Sequence, residues 1–282
     1  MNSIRVENST FQKLQGRRCA LFIAHPGHEL RIHGWLEAAK PTVYVLTDGS
    51  GREGQSRLAS TTRLLARAGA QPGSLYGRYP DRAIYDAILR RDVVLFRGLV
   101  SELADELLRG KFDFVLGDAE EGAILTHDFW RGMVNAAIAS AQARQKRPIA
   151  NYQFDLEAPP QQAPVQADSN SIRLELDDGA LARKIAAARS YPELRSEVEA
   201  AFRAYGTDAF RIECLQQVRL VEDELFSPAP RDILPFPSRP DEPHYERHGS
   251  ALVAAGIYPA VVRYEQHVAP HLSELTMHKR AA

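Results

Sequence analysis

His25 and His28 stand three residues apart at the end of an apolar run, Cys19-Ala20-Leu21-Phe22-Ile23-Ala24. A buried strand that empties into a His-x-x-His turn presents two neutral imidazoles at the carboxyl edge of a sheet, where open α/β folds place their ligand crevice. A third histidine, His127, follows a second apolar run, Phe112 to Gly117, at the start of the next helical pattern. Three protein nitrogens with a fourth position left for water are the donor set of a catalytic zinc site, or of a site for another divalent first-row metal. Taken alone, the pair also reads as polar residues at a strand-to-helix turn. His127 in register is what favours ligation.

The elements that must position these histidines alternate in type. Strand patterns at about 19–25, 42–46, 74–77, 112–117 and 149–154 are separated by helical patterns at 29–39, 57–69, 81–90, 92–109 and 128–145. Such alternation predicts an α/β fold, a Rossmann-like and mostly parallel sheet with helices on both faces. Residues 1–156 then form the metal-binding core. Residues 157–282 complete the fold as a strand at 172–176, an Ala-rich helix at 179–204, a loop with six prolines between Pro228 and Pro243, and a helical end from Tyr245. No internal repeat is visible.

Composition narrows the function classes. The chain has 282 residues, 44% of them hydrophobic, enough for a large core. Thirty-five basic residues nearly cancel thirty-six acidic ones, so no strong field favours nucleic acid or anionic lipid. The expected partner is a small-molecule or glycan substrate. Two cysteines far apart, Cys19 and Cys214, suggest neither a disulfide framework nor a cysteine metal cluster. The polar amino terminus lacks a signal pattern and no run approaches the roughly 20 apolar residues of a membrane helix. A soluble cytoplasmic protein is expected.

Three stretches together carry a family resemblance: Ala24-His25-Pro26-Gly27-His28-Glu29, Leu46-Thr47-Asp48-Gly49 and Gly122-Ala123-Ile124-Leu125-Thr126-His127. In order and spacing they resemble the LmbE-like or PIG-L-like deacetylases, whose signature is Ala-His-Pro-Asp-Asp-Glu, then a Thr-x-Gly loop, then a Gly-rich His-Pro-Asp-His segment. The resemblance covers roughly residues 19–155. It implies a Rossmann-like fold, zinc-dependent removal of acetyl groups from N-acetylglucosaminyl compounds, and metal ligation by His25, His28 and His127. The family's second signature Asp is His28 here, which keeps a donor. Its general base, the first Asp, falls on Gly27, and the histidine thought to assist the transition state falls on Ile124.

Three outcomes follow from that loss. A three-histidine site carries less anionic ligand charge, so its water should be more acidic and need less help from a base. Another carboxylate could take the proton, with Asp118, Glu121 and Glu29 nearest in sequence. Or hydrolysis is gone. Asp48, Ser50 and Arg52 are candidates to line the substrate crevice, Arg52 by contacting a phosphate or carboxylate. Trp130 packs on the sheet or offers a sugar-stacking face. Asp128 reads as a helix-capping residue.

Two further patterns carry less. Gly49-Ser50-Gly51-Arg52-Glu53-Gly54 formally matches the dinucleotide fingerprint, but it follows the second strand and lacks the acidic residue about 20 positions on. His244, His248, His267, His271 and His278 cluster near the end, where Pro270 argues against a preformed helical pair of His267 and His271. The function expected is therefore a metal-dependent hydrolase that deacylates an N-acylated amino sugar or related glycoconjugate. The alternatives are a catalytically silent binding protein on the same scaffold and, weakest, a nucleotide-dependent oxidoreductase.

Overall fold

In a computed structural model of the chain, which describes residues 16–51, 54–160, 171–218 and 242–277, strand β1 (Cys19–Ile23) is buried at every position. A strand alternates its side chains, so one covered on both faces must be apolar throughout. Beside it run β2 (Thr42–Thr47) and β4 (Phe114–Asp118), with β3 (Gln71–Tyr79) and β5 (Ala150–Phe154) outside them. These five pair in parallel. The order is β3-β2-β1-β4-β5-β7-β6. The last two strands, β6 (Ile172–Glu175) and β7 (Ile212–Gln217), extend the sheet antiparallel. The α/β fold expected from the sequence, a mostly parallel sheet with helices on both faces, is the fold observed.

Helices cover the sheet as α1 (His33–Ala39), α2 (Leu58–Ala68), α3 (Asp81–Leu89), α4 (Val93–Arg109), α5 (Leu125–Gln145), α6 (Asp178–Arg189), α7 (Arg195–Tyr205), α8 (His244–Ala254) and α9 (Ala269–Met277). Ala20, Phe22 and Ala24 face one core with Phe96 of α4, Phe129 and Met133 of α5 and Leu272 of α9. Cys19, Leu21 and Ile23 face the other, with Trp35 and Leu36 of α1 and Leu65 of α2. Both cysteines are free thiols. No helix among the described residues is long and apolar enough to cross a membrane.

Three elements differ from the sequence reading. The helix expected over 29–39 is a 3₁₀ turn at His28–Leu30 followed by α1 from His33. The Ala-rich helix expected over 179–204 breaks at Tyr191, which is extended because Pro192 follows it; a 3₁₀ turn at Pro192–Leu194 then leads into α7. β7, around Cys214, was not expected at all. Its six residues carry Glu, Cys and two Gln among only two aliphatic side chains, a weak strand signal. Most of the proline-rich stretch, up to residue 241, lies outside the described residues.

Candidate metal and substrate site

Each parallel strand ends where chemistry is gathered. β1 runs out before His25, β2 before Asp48 and β3 before Asp81, while β4 ends on Asp118. Parallel strands with right-handed crossovers bring all four ends to one rim. The α5 N-terminus brings His127 to the same rim, so the three imidazoles are neighbours: ring centres of His25 and His28 lie 5.3 Å apart, His25 and His127 5.3 Å, His28 and His127 4.5 Å. Imidazoles sharing one tetrahedral ion at about 2.0 Å per nitrogen would have ring centres about 5 Å apart.

The hydrogen bonds behind the rings fix which nitrogen faces forward. Thr47 Oγ1 donates to the Ala24 carbonyl (3.1 Å), so at 2.7 Å from His25 Nδ1 it accepts; the Asp81 carboxylate lies 2.9 Å from the same nitrogen as its electrostatic neighbour. His28 Nδ1 donates to Asp118 Oδ2 (2.9 Å), which also accepts from the Ala24 amide at 2.7 Å. Both rings are thus held as Nδ1–H tautomers with the Nε2 lone pair free, the arrangement found behind metal-ligating histidines. His127 is buried, and among the described residues neither of its nitrogens has a hydrogen-bond partner. An unsatisfied buried polar group costs about 1–3 kcal/mol, a cost that a bound ion would remove.

For His127 protonation agrees with this use. Burial pushes His127 well below the ordinary histidine range, and its neighbours His28 and His25 push it further, so the ring is neutral. For His28 burial acts the same way, but the Asp118 carboxylate outweighs it and the net shift is upward. Asp81 would be raised by burial, yet its hydrogen bonds to His25 and Thr47 dominate and hold it ionised. As the side chains lie, no group of three or more His, Cys, Asp or Glu among the described residues stands in ligand geometry. In kind, burial and tautomer the three histidines fit a divalent metal.

The carboxylates nearest in sequence have other duties. Asp118 is buried behind His28. Glu29 is fully buried, accepting from the Gly27 amide at 2.8 Å and from Thr61 Oγ1 at 2.7 Å. Glu121 accepts from the backbone amides of Leu156, Glu157 and Ala158, and burial pushes its carboxyl up to about 7. None of the three lines the cleft. Asp128 accepts from the Glu121 and Gly122 amides, tying down the loop before its own helix.

The cleft itself measures about 1200 Å³ and is lined by His25, His28 and His127 together with Asp48, Ser50, Arg57 and Asp81. A smaller polar recess of about 480 Å³ adjoins it, sharing Gly49, Ser50, Gly51, Arg57 and Glu197. Asp48 and Ser50 are therefore where a substrate could meet them. Arg52 falls outside the described residues. Trp130 is a correction: its ring is fully buried beside Phe22 in the core and does not reach the cleft, so it offers no sugar-stacking face. Residues 49–54 do follow β2, but Ser50 donates its amide to Asp48, Gly51 to Asp81 and Gly54 to Ser50. Those amides are spent, not aimed at a pyrophosphate. His267 is half-buried with its Nδ1 against the Arg263 backbone, while His271 is buried between Phe96 and Phe129, so they form no pair.

Sequence reasoning passed over Asp81, Arg57 and Leu194. Asp81 was visible in principle as an acid opening a helix directly after a strand, at the edge where α/β sites form. Leu194 carried no such signal. It precedes α7, about 165 positions from the histidine turn, and only the fold brings it there: a β-carbon placed on Gly27 would lie 2.5 Å from Leu194 Cδ1. Gly27 has φ of 110°, which only glycine adopts freely.

Comparison with solved structures finds a shared fold. The chain superimposes on a deacetylase from the biosynthesis pathway of teicoplanin with a TM-score of 0.52, at 11% identity, covering 73% of this chain and 99% of the other. The A40926 pseudoaglycone deacetylase gives 0.49 at 18% identity, covering 73% and 98%. No protein-family model matches the sequence, and no curated protein does. At these identities the likeness establishes a shared α/β fold.

Proposed function

We propose that this chain is a metal-dependent amide hydrolase that deacylates an N-acylated amino sugar or related glycoconjugate, with His25, His28 and His127 as metal ligands. The observation that carries the reading is His127: a buried imidazole with both nitrogens unpartnered, beside two imidazoles whose rear nitrogens are committed to Thr47, Asp81 and Asp118. When bound, a divalent ion on three neutral imidazoles supplies Lewis acidity to the amide carbonyl and lowers the pKa of its water. Asp118 and Asp81 orient the ligating rings. Asp48, Ser50 and Arg57 meet the polar part of the substrate, and the adjoining recess has room for one sugar ring. The deacetylase fold supports the reaction class, and the Thr-x-Gly and histidine stretches support the family.

The test is metal content and turnover on the same preparation. Incubation with zinc should load close to one ion per chain by elemental analysis, His25→Ala and His127→Ala should lose it, and the loaded protein should release free amine from a panel of acylated amino sugars. A protein that binds no zinc overturns the site. The second reading, a binding protein without turnover, is favoured by one observation: the position of the family's base is Gly27, with Leu194 against it, and no carboxylate expected to replace it lines the cleft. Zinc bound with no amine released from any substrate would select it.

A further inference from the structure

Helix α7 is amphipathic, yet none of its residues is buried. Val198, Ala201, Phe202 and Tyr205 follow helical spacing, so they form one apolar stripe. In a surface helix that stripe normally covers a core. Here all four residues line the open cleft. The large hydrophobic side chains most exposed among the described residues tell the same story: Ile124 at 39%, Tyr205 at 50% and Ile257 at 47% all line this cleft, and only Val94 at 82% lies elsewhere. Exposed apolar side chains gathered at one concave site mark a ligand that covers them.

We infer that the cleft takes a substrate whose scissile amide carries a straight alkyl acyl chain of about eight carbons, laid along α7; this rests on the hydrolase reading above. Size supports it, since an N-acetylated monosaccharide fills roughly 200 Å³, well below the range of ordinary ligand pockets, and the cleft holds about 1200 Å³. Length follows from the helix. From Val198 to Tyr205 the helix rises seven steps, about 10 Å at 1.5 Å per residue, which an extended chain of about eight carbons spans.

Continuity assigns the chain to the acyl side. The apolar wall begins at Leu194, packed against Gly27 between two of the histidines, and Ile124 lies three residues before His127. A chain starting there is bonded to the reacting carbonyl. An alkyl group on the far side of the sugar would be held off by a whole ring. In the reaction water adds to the carbonyl carbon, the C–N bond breaks, the amine takes both protons of that water and leaves as an ammonium, and a medium-chain carboxylate is released.

Binding to the zinc-free full-length chain tests this without turnover. N-acylglucosamines from acetyl to decanoyl, measured by calorimetry, should gain about two- to fourfold in affinity per methylene until near eight carbons. Phe202→Ser and Tyr205→Ser, which remove no buried side chain, should flatten the rise, and Val94→Ser should leave it. A flat acyl series overturns the proposal. So does a rise confined to N-acetylglucosamines bearing alkyl groups on the anomeric oxygen, or a Tyr205→Ser variant that dissociates a dimer while keeping the slope. If affinity climbs with chain length but the zinc-loaded protein releases no amine, the chain subsite stands and the hydrolase reading falls.

Discussion

Replacing Gly27 separates backbone strain from crowding at the centre of the site. Its φ of 110° and ψ of −21° lie beyond even the left-handed region that Asn and Asp tolerate. Holding any other residue there costs about 1–3 kcal/mol, and the distance from the allowed region argues for the upper part, about 2–3 kcal/mol. The clash is the smaller effect. The new β-carbon would meet Leu194 Cδ1 at 2.5 Å, but that atom is the end of a flexible side chain bordering an open cleft, with its Cγ already 3.7 Å away. Turning one rotamer costs about 1 kcal/mol. Gly27→Ala and Gly27→Asp should therefore destabilise almost equally, each lowering the melting temperature by about 5–10 °C at roughly 2–4 °C per kcal/mol. Leu194→Ala should restore only a small part in the double variant. Thermal unfolding of the four proteins in chelator, as a double-mutant cycle, reads this directly. An unchanged melting temperature for Gly27→Ala, or a coupling with Leu194→Ala above about 2 kcal/mol, would refute the assignment of the cost to the backbone. It follows that grafting the family's aspartate onto this position does not restore a base cheaply. Any gain in hydrolysis, normally about 10²- to 10⁴-fold for general-base help, should be sought in Gly27→Asp combined with Leu194→Ala.

Three further perturbations probe the scaffold. Glu121 is ionised only against burial, its folded value of about 7 lying above the ordinary 4.5; stability is thus lost as pH rises from about 4.5 through 7, and Glu121→Gln should gain on the parent across that window by up to roughly 3 kcal/mol, read by urea unfolding at pH 5 and 8. His271, between Phe96 and Phe129, is pushed below its usual range chiefly by burial. Its contribution is complete above pH 6.5 and lost as pH falls below it, so the fall in melting temperature between pH 7 and 5 should be shallower in His271→Leu; equal slopes would show that another group governs acid unfolding. Lys184 donates to Glu213 at 2.8 Å, both buried, while Glu213 also accepts from the Gly34 and Trp35 amides that open α1. Lys184→Met strands that carboxylate and should cost about 3–5 kcal/mol, whereas a loss under 1 kcal/mol in chemical denaturation would mean that the helix terminus alone neutralises it.

How far the sequence could be read depends on whether a feature is local. The order of strand and helix, the rim and the three histidines are written in short stretches whose periodicity and end residues survive without tertiary context. The six consecutive apolar residues Cys19 to Ala24 show the burial of β1, and His25 and His28 follow from where that run stops. Orientation is another matter. Asp118, Glu121 and Glu29 were rightly placed near the histidines along the chain, yet each turns to a backbone amide or a ring nitrogen, because a carboxylate buried by the fold must find donors. Trp130 lies three residues beyond His127, close to one helical turn away, and the core claims it. Nothing in the 12 residues of α6 or the 11 of α7 announces a cleft wall; an apolar stripe reads the same whether it covers a core or a ligand.

That ambiguity bears on the departures from the family pattern. Gly27 and Ile124 remove a base and a histidine, and viewed one at a time they are losses. In the folded chain both belong to the apolar lining that starts at Leu194 and continues along α7. A carboxylate at position 27 would have to be desolvated against Leu194, and a histidine at 124 would place a polar ring where Ile257 and Tyr258 help line the cleft. Desolvating the carboxylate without a partner costs more than an apolar side chain there, and a polar ring at the exposed position 124 gives up apolar surface that a ligand can cover. On the proposed reading, an alkyl chain held against the reacting carbonyl would favour the two departures that make acid-base help scarce, and would leave water activation to an ion held by the three histidines. On this reasoning the pH profile of turnover should gain in Gly27→Asp with Leu194→Ala a limb that the parent lacks, and acetylated substrates, which lack the chain, should be the poorest of the series.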